Sequence, residues 1–291
     1  MAKNYLNNKD MLLEIHKSKM SYCNDGVEEE HFMYDLILDH VDEIDNDKIE
    51  EAKVNRASRL TKLAHEEAVK KWEQGLWDKK RKPRAAEFAV DPDTITEKEL
   101  VFRINTYEHI PLEQRKTNPK TVADHHTKVN FPPFSHYALV GNNWKEVVRS
   151  HWKGDLTDGY FSVTHGKTNT NLAKMYLMLC HRYSMRGNWR GYTYVDEMRG
   201  QAILQLSQIG LQFNEAKSNN PFAYYTAAVN NSFTRVLNLE KRSQNIRDDL
   251  LEEAGLNPSH TRTFNAEWEA QNALELKKAL EAKAKANQSE K

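Results

Sequence analysis

The stretch YTYVDEMRGQAILQLSQIGLQFNEAKSNNPFAYYTAAVNNSFTRVLNLEKR, Tyr192–Arg242, decides how this chain reads. Met198, Ala202, Leu206, Ile209 and Phe213 recur at helical spacing and predict an amphipathic helix over Asp196–Phe213. Pro221 suits the first position of a following helix, with Asn220 as its cap. Phe222, Tyr225, Val229, Phe233, Val236 and Leu237 form the stripe expected to face inward. Tyr224 lies off it, on the side that carries Asn231, Thr234, Arg235, Asn238 and Arg242. Amides and arginines read base edges and phosphates, and aromatics stack bases. Between Glu215 and Arg247, five lysines and arginines stand against two acids. From spacing alone, a nucleic-acid surface and a solvated face with incidental charge fit equally well.

Upstream, Leu172, Met175, Tyr176, Leu179, Cys180 and Tyr183 make one helical stripe. Three helices joined by short polar loops predict a compact helical unit over 171–250, and an all-α fold for the chain. A docking helix is expected within 1–20, where Met11, Leu12, Ile15 and Lys19 share one side. Residues 21–130 read as a helical extension and connector. His31–Val41 is helix or buried strand, and Lys48–Trp77 the longest helical pattern. Lys79–Arg84 is a short basic run. Asp91–Pro133 is a Pro-rich connector with a short helix near Thr96–Phe102. Within 131–170, Trp144, Val147, Val148, His151 and Trp152 predict a short amphipathic helix, and Gly154–Thr170 a small hairpin. Residues 251–291 should hold a C-terminal helix, Asn265–Ala286, and a tail.

The formal net charge is zero, so no global field points to nucleic acid. The charge is blocky instead. Met1–Glu50 holds 13 acids against 5 lysines and arginines, whereas Glu51–Ala85 holds 11 lysines and arginines against 5 acids. Cys23 and Cys180 form no spaced pair, which argues for a reducing compartment and against a cysteine zinc site. No apolar run reaches membrane-spanning length and no signal peptide is expected. Asp124-His125-His126 is the densest histidine cluster, but it lacks a ligand at metal-binding spacing, and His31 and His40 fit no pattern. The sequence carries no Gly-rich phosphate loop, nucleophile elbow or HExxH. The expectation is therefore a protein without catalysis, cofactor or metal.

At Arg182-Tyr183, Tyr192, Glu197-Met198, Phe213, Asn220-Pro221-Phe222-Ala223-Tyr224, Phe233-Thr234-Arg235 and Lys241-Arg242 the chain resembles region 2 of the sigma-70 superfamily. It is most similar to the late-transcription sigma factors of T-even-like bacteriophages, including those of cyanophages. The resemblance keeps the spacing from Phe213 to Pro221 and runs over Asn171–Asp249. Tyr5–Leu12 also resembles the family's start.

The resemblance implies roles. Glu197, Met198, Gln201 and Gln205 would face the clamp helices of the largest subunit of host RNA polymerase core. Gln201 stands where the family usually has an acid. Phe222, Tyr224, Tyr225, Asn231, Thr234, Arg235, Asn238, Lys241 and Arg242 would meet promoter DNA at an A·T-rich, −10-like element. The Trp pair of primary sigma factors falls at Ala228 and Val229. Family members end in a tail that grips a sliding clamp. Ala279–Lys291 departs from it, so either the sliding clamp is not needed or another segment meets it; a phage co-activator is the other implied partner. The implied location is the host cytoplasm. A helical scaffold with core aromatics is the first alternative, and an enzyme built on the N-terminal histidines and carboxylates the second.

Overall fold

The computed structural model describes residues 7–77, 81–111 and 128–289. Tyr5 and Leu6, Lys79 and Lys80, and the Asp124-His125-His126 cluster lie outside the described residues. Among the described residues there are six α-helices, a four-stranded mixed sheet and a two-stranded hairpin. The all-α expectation is therefore wrong, and the reason lies between residues 35 and 161.

There β1 (Leu36–Leu38) runs parallel to β2 (Val101–Ile104), which pairs antiparallel with β3 (Ser135–Val140), and β3 with β4 (Asn143–Arg149). The predicted helix at Thr96–Phe102 is instead a single 3-10 turn at Glu97–Glu99 leading into β2. The helix expected at Trp144–Trp152 is largely β4. Its apolar residues match helical spacing, but β-branched Val147 and Val148 suit a strand, and a two-residue turn folds the segment back on β3. Gly141 takes φ +71° at the first turn position, as a II′-type hairpin requires. The hairpin expected within Gly154–Thr170 lies earlier, with β5 (Trp152–Lys153) paired to β6 (Tyr160–Phe161). The undecided His31–Val41 segment contributes strand β1.

The helices follow the sequence more closely. α1 (Asn8–Met20) starts at Asn7, whose side chain accepts from the Asp10 N–H at 2.7 Å. α2 (Asn46–Glu73) is capped by Asp45, and α3 (Thr170–Ser184) by Asn169. α4 (Val195–Ile209) stops short of Phe213 and tightens into a 3-10 turn at Gly210–Gln212. α5 (Pro221–Glu253) has Pro221 first and Asn220 accepting from the Ala223 N–H at 3.0 Å, then runs well past Arg242. α6 (His260–Ser289) is longer than expected and exposes Phe264 and Trp268.

The sheet separates two cores. Phe102 and Ile104 face α2 with Leu38, Ile49, Ala52 and Leu100. The opposite face meets a core that gathers Met11 and Ile15 of α1, Phe134, Val148 and the inner stripes of α3, α4 and α5. Both faces of β2 are thus covered, and all four of its residues are buried.

Candidate functional site

α4 and α5 pack side by side and leave a groove of about 660 Å³ between them. Glu197, Gln201, Leu204, Gln205 and Gln208 form its α4 wall. Tyr224, Ala228, Asn231, Arg235 and Leu239 form the α5 wall. Glu197, Gln201 and Arg235 are exposed, and Gln205 is half-buried. Glu197, Gln201 and Gln205, expected to meet the polymerase, and Tyr224, Asn231 and Arg235, expected to meet DNA, therefore line one groove. A shallower depression of about 470 Å³ adjoins it over Asn231, Thr234, Arg235, Asn238 and Arg242. Lys241 is exposed on the same helix, one residue from Arg242.

Met198 departs from the expected roles. It is fully buried and belongs to the core, so it offers no side chain to a partner. The aromatic trio also divides differently. Tyr225 is inward, as its place on the stripe predicts, and with no exposure it offers no side chain to DNA, contrary to the role the resemblance implies. Its hydroxyl donates to the Gly210 carbonyl at 2.6 Å and accepts from Tyr176 Oη at 3.3 Å. Burial raises the Tyr225 phenol far above its ordinary pKa, so it is a neutral donor. A Cβ on Gly210 would lie 2.2 Å from Tyr176 Oη, so this close approach needs glycine. Tyr224 is half-buried, edge-on to Phe213 at 5.6 Å, and lines the groove.

Phe222, expected inward, is 37% exposed. In the first turn of α5 Pro221 is buried but Phe222 and Ala223 are exposed, and the buried stripe resumes at Tyr225. There the Phe222 N–H meets Asn8 Oδ1 of α1 at 3.0 Å. Phe222 is thus an exposed ring at the edge of the groove helix.

Beneath the helices lies a charged cluster that the sequence reading missed. Lys19, on the apolar stripe of α1, is 1% exposed and donates to Glu215 at 2.6 Å and to the Phe213 carbonyl at 2.7 Å. Arg103, equally buried, lies between the rings of Tyr34 and Phe134 at 4.0 and 3.9 Å. Its Nε donates to His136 Nε2 at 3.0 Å and its Nη2 to His16 Nδ1 at 2.8 Å. Its Nη1 is 3.7 Å from Glu215.

The remaining ring nitrogens donate to backbone carbonyls. His16 Nε2 reaches Phe32 O at 2.6 Å and His136 Nδ1 reaches His31 O at 3.0 Å. This network assigns both tautomers and holds both rings neutral. Burial, then the Arg103 charge, pushes both imidazoles well below their usual pKa. For Glu215, burial pulls upward, but Lys19 and Arg103 outweigh it and hold the carboxyl below its ordinary value. Lys19 itself is lowered, because desolvation exceeds the pull of Glu215. Glu215 sits in the α4–α5 connection, so the cluster ties α1 and the sheet to the loop that joins the groove's two walls.

The signal for Lys19 was visible as a cation on an apolar stripe. Arg103 sits inside VFRI, where its partners are far away in sequence. Among the described residues no group of three or more histidines, cysteines or acids is placed to hold a metal ion. Cys23 and Cys180 are free and buried, and burial pushes their thiols up to about 12 and about 11. No helix among the described residues is long and apolar enough to cross a membrane.

The chain matches no family model, no curated protein and no solved structure. The site therefore rests on its own geometry: an open, mixed-charge groove flanked by a helix face of amides and of cations without an ion pair among the described residues. Such a surface can hold phosphates and stack or hydrogen-bond bases.

Proposed function

We propose that this protein is a sigma factor for phage late transcription. It binds host RNA polymerase core, directs it to an A·T-rich, −10-like late promoter element and aids melting there. The observation that carries this reading is the outer face of α5. Asn231, Thr234, Arg235, Asn238 and Arg242 stand together beside a groove whose other wall presents Glu197, Gln201 and Gln205. The division of labour follows. Glu197, Gln201 and Gln205 meet the polymerase clamp helices. Tyr224, exposed Phe222 and the α5 amides and cations meet the non-template strand. Tyr225 acts from beneath by fixing the α5 wall. Catalysis belongs to the polymerase, and the setting is the host cytoplasm.

The energetics suit an accessory reader. Base stacking on an aromatic contributes about 1–3 kcal/mol. Unstacking costs a few kcal/mol and is lowest at flexible A·T steps. The module alone then has little surplus and works through the polymerase. The test is run-off transcription with host core polymerase on a template carrying an A·T-rich late-type promoter. Added protein should produce a promoter-specific start, and no such start would sink the reading.

A further inference from the structure

The turn between α3 and α4 is built from one sign of charge. From Gly159 to Val195 the sequence contains five lysines and arginines and no acid. Three of them, Arg182, Arg186 and Arg190, crowd the end of α3 and the turn after it, all exposed. This turn adjoins the proposed DNA face. Arg186 stacks on the Tyr183 ring at 4.3 Å, and Tyr183 Oη donates to Asn230 of α5 at 2.7 Å. Trp189 packs on Phe233 of α5 at 5.4 Å, and its Nε1 donor is buried without an acceptor.

Asn230 lies on the flank of α5 opposite the α4 groove. The two flanks therefore differ in charge. The α4 flank presents Asp196, Glu197 and glutamines, with Arg199 paired to Asp196 at 2.7 Å. The α3 flank presents arginines. Neither Arg186 nor Arg190 has an ion-pair partner among the described residues. A guanidinium stacked on a ring is pre-positioned, yet its edge N–H groups stay free for phosphate oxygens.

We infer that Arg186 and Arg190 form a phosphate-holding strip for single-stranded DNA leaving α5. The strand crosses the α3–α4 turn, and the acidic α4 flank is left to protein. The inference rests on the reading of α5 as the DNA face, and a polyanion held there gains from an acid-free surface.

The test is binding of the full chain to a fluorescent A·T-rich single-stranded oligonucleotide, titrated between low and moderate salt. For single strands the salt slope falls by about 0.7 per lost phosphate contact, so R186A/R190A should lower it by about 1.4. R186K/R190K should restore most of the slope while leaving part of the affinity lost, because lysine keeps the charge without the stacking fork. An unchanged slope in R186A/R190A, where R235A weakens binding, overturns the strip and leaves the α5 reading standing. If R235A also binds as the parent protein does, both fall. A larger slope change on duplex DNA of the same sequence overturns the single-strand path.

Discussion

Arg103 and Arg235 carry the same guanidinium to opposite ends of its possible uses. Arg103 is 1% exposed, with rings on both faces, two imidazole acceptors in its plane and Glu215 nearby. Arg235 is exposed, lines both depressions beside α5 and has no ion pair among the described residues. A buried guanidinium must have its donors met inside the protein, so Arg103 specifies one arrangement of α1, the sheet and the α4–α5 connection. An exposed one keeps its donors for something outside. The first residue should govern stability and the second binding.

The largest effect is expected at Arg103. Arg103→Ala leaves Glu215 with Lys19 alone and strips His16 and His136 of a donor, so unfolding stability should drop by about 3–5 kcal/mol. Urea titration followed by circular dichroism measures it. A loss below 1 kcal/mol, on the order of an exposed pair, would show that the cluster is not a lock.

Acid should act on the same cluster. His16 and His136 have folded pKa values depressed well below 6.5, so the unfolded chain binds protons first as pH falls. Their contribution is intact above the unfolded pKa and is lost below it. At pH 5.5 the two together cost about 3 kcal/mol relative to pH 7.5. His109, held at about 4, and His151, at about 3, add in the same direction, again chiefly through burial. Stability in urea at pH 7.5, 6.5 and 5.5 should fall steeply across the last step. A flat profile would mean that these rings are protonated in place.

Within α5 the adjacent tyrosines repeat the contrast on a smaller scale. Tyr225→Phe removes the donor to the Gly210 carbonyl and an acceptor for Tyr176, and should cost about 1–3 kcal/mol. Tyr224→Phe should change stability by less than about 0.5 kcal/mol, as its hydroxyl anchors no described group. Equal losses in thermal unfolding would erase the distinction between wall and support.

The parts of this arrangement that were legible in the sequence are the local ones. Pro221 with Asn220, and the stripe through Tyr225, Val229, Phe233 and Val236, are set by neighbours within a turn or two. So is the off-stripe face with Arg235. The sheet was not legible for two reasons: β1 and β2 are short and pair across a long stretch of chain, and β4 also fits helical spacing. Leu36 pairs with Phe102, and Trp144 to Trp152 satisfies helical spacing until the pairing with β3 is known. Phe222 misled because periodicity cannot say where the core beneath a helix ends. Lys19 and Glu215, 196 residues apart, meet only because the whole chain folds. The sequence shows Lys19 as an anomaly without its resolution.

The smallest stability effect, and the sharpest separation of roles, belongs to Arg235. Its truncation removes no described hydrogen bond or ion pair and buries no new group. Arg235→Ala should therefore unfold within about 0.5 kcal/mol of the parent protein. Yet it deletes a cation at the junction of the groove and the adjoining depression, where a strand would cross from Tyr224 to Asn238. Polymerase-dependent opening of an A·T-rich promoter, followed by permanganate reactivity of exposed thymines, should weaken several-fold. Glu197→Arg supplies the complement. It too should fold normally, but polymerase pull-down fails before DNA binding does, because the charge reversal lies on the α4 wall. If Arg235→Ala lost stability and opening in proportion, its donors would be serving the fold, and the contrast with Arg103 would collapse.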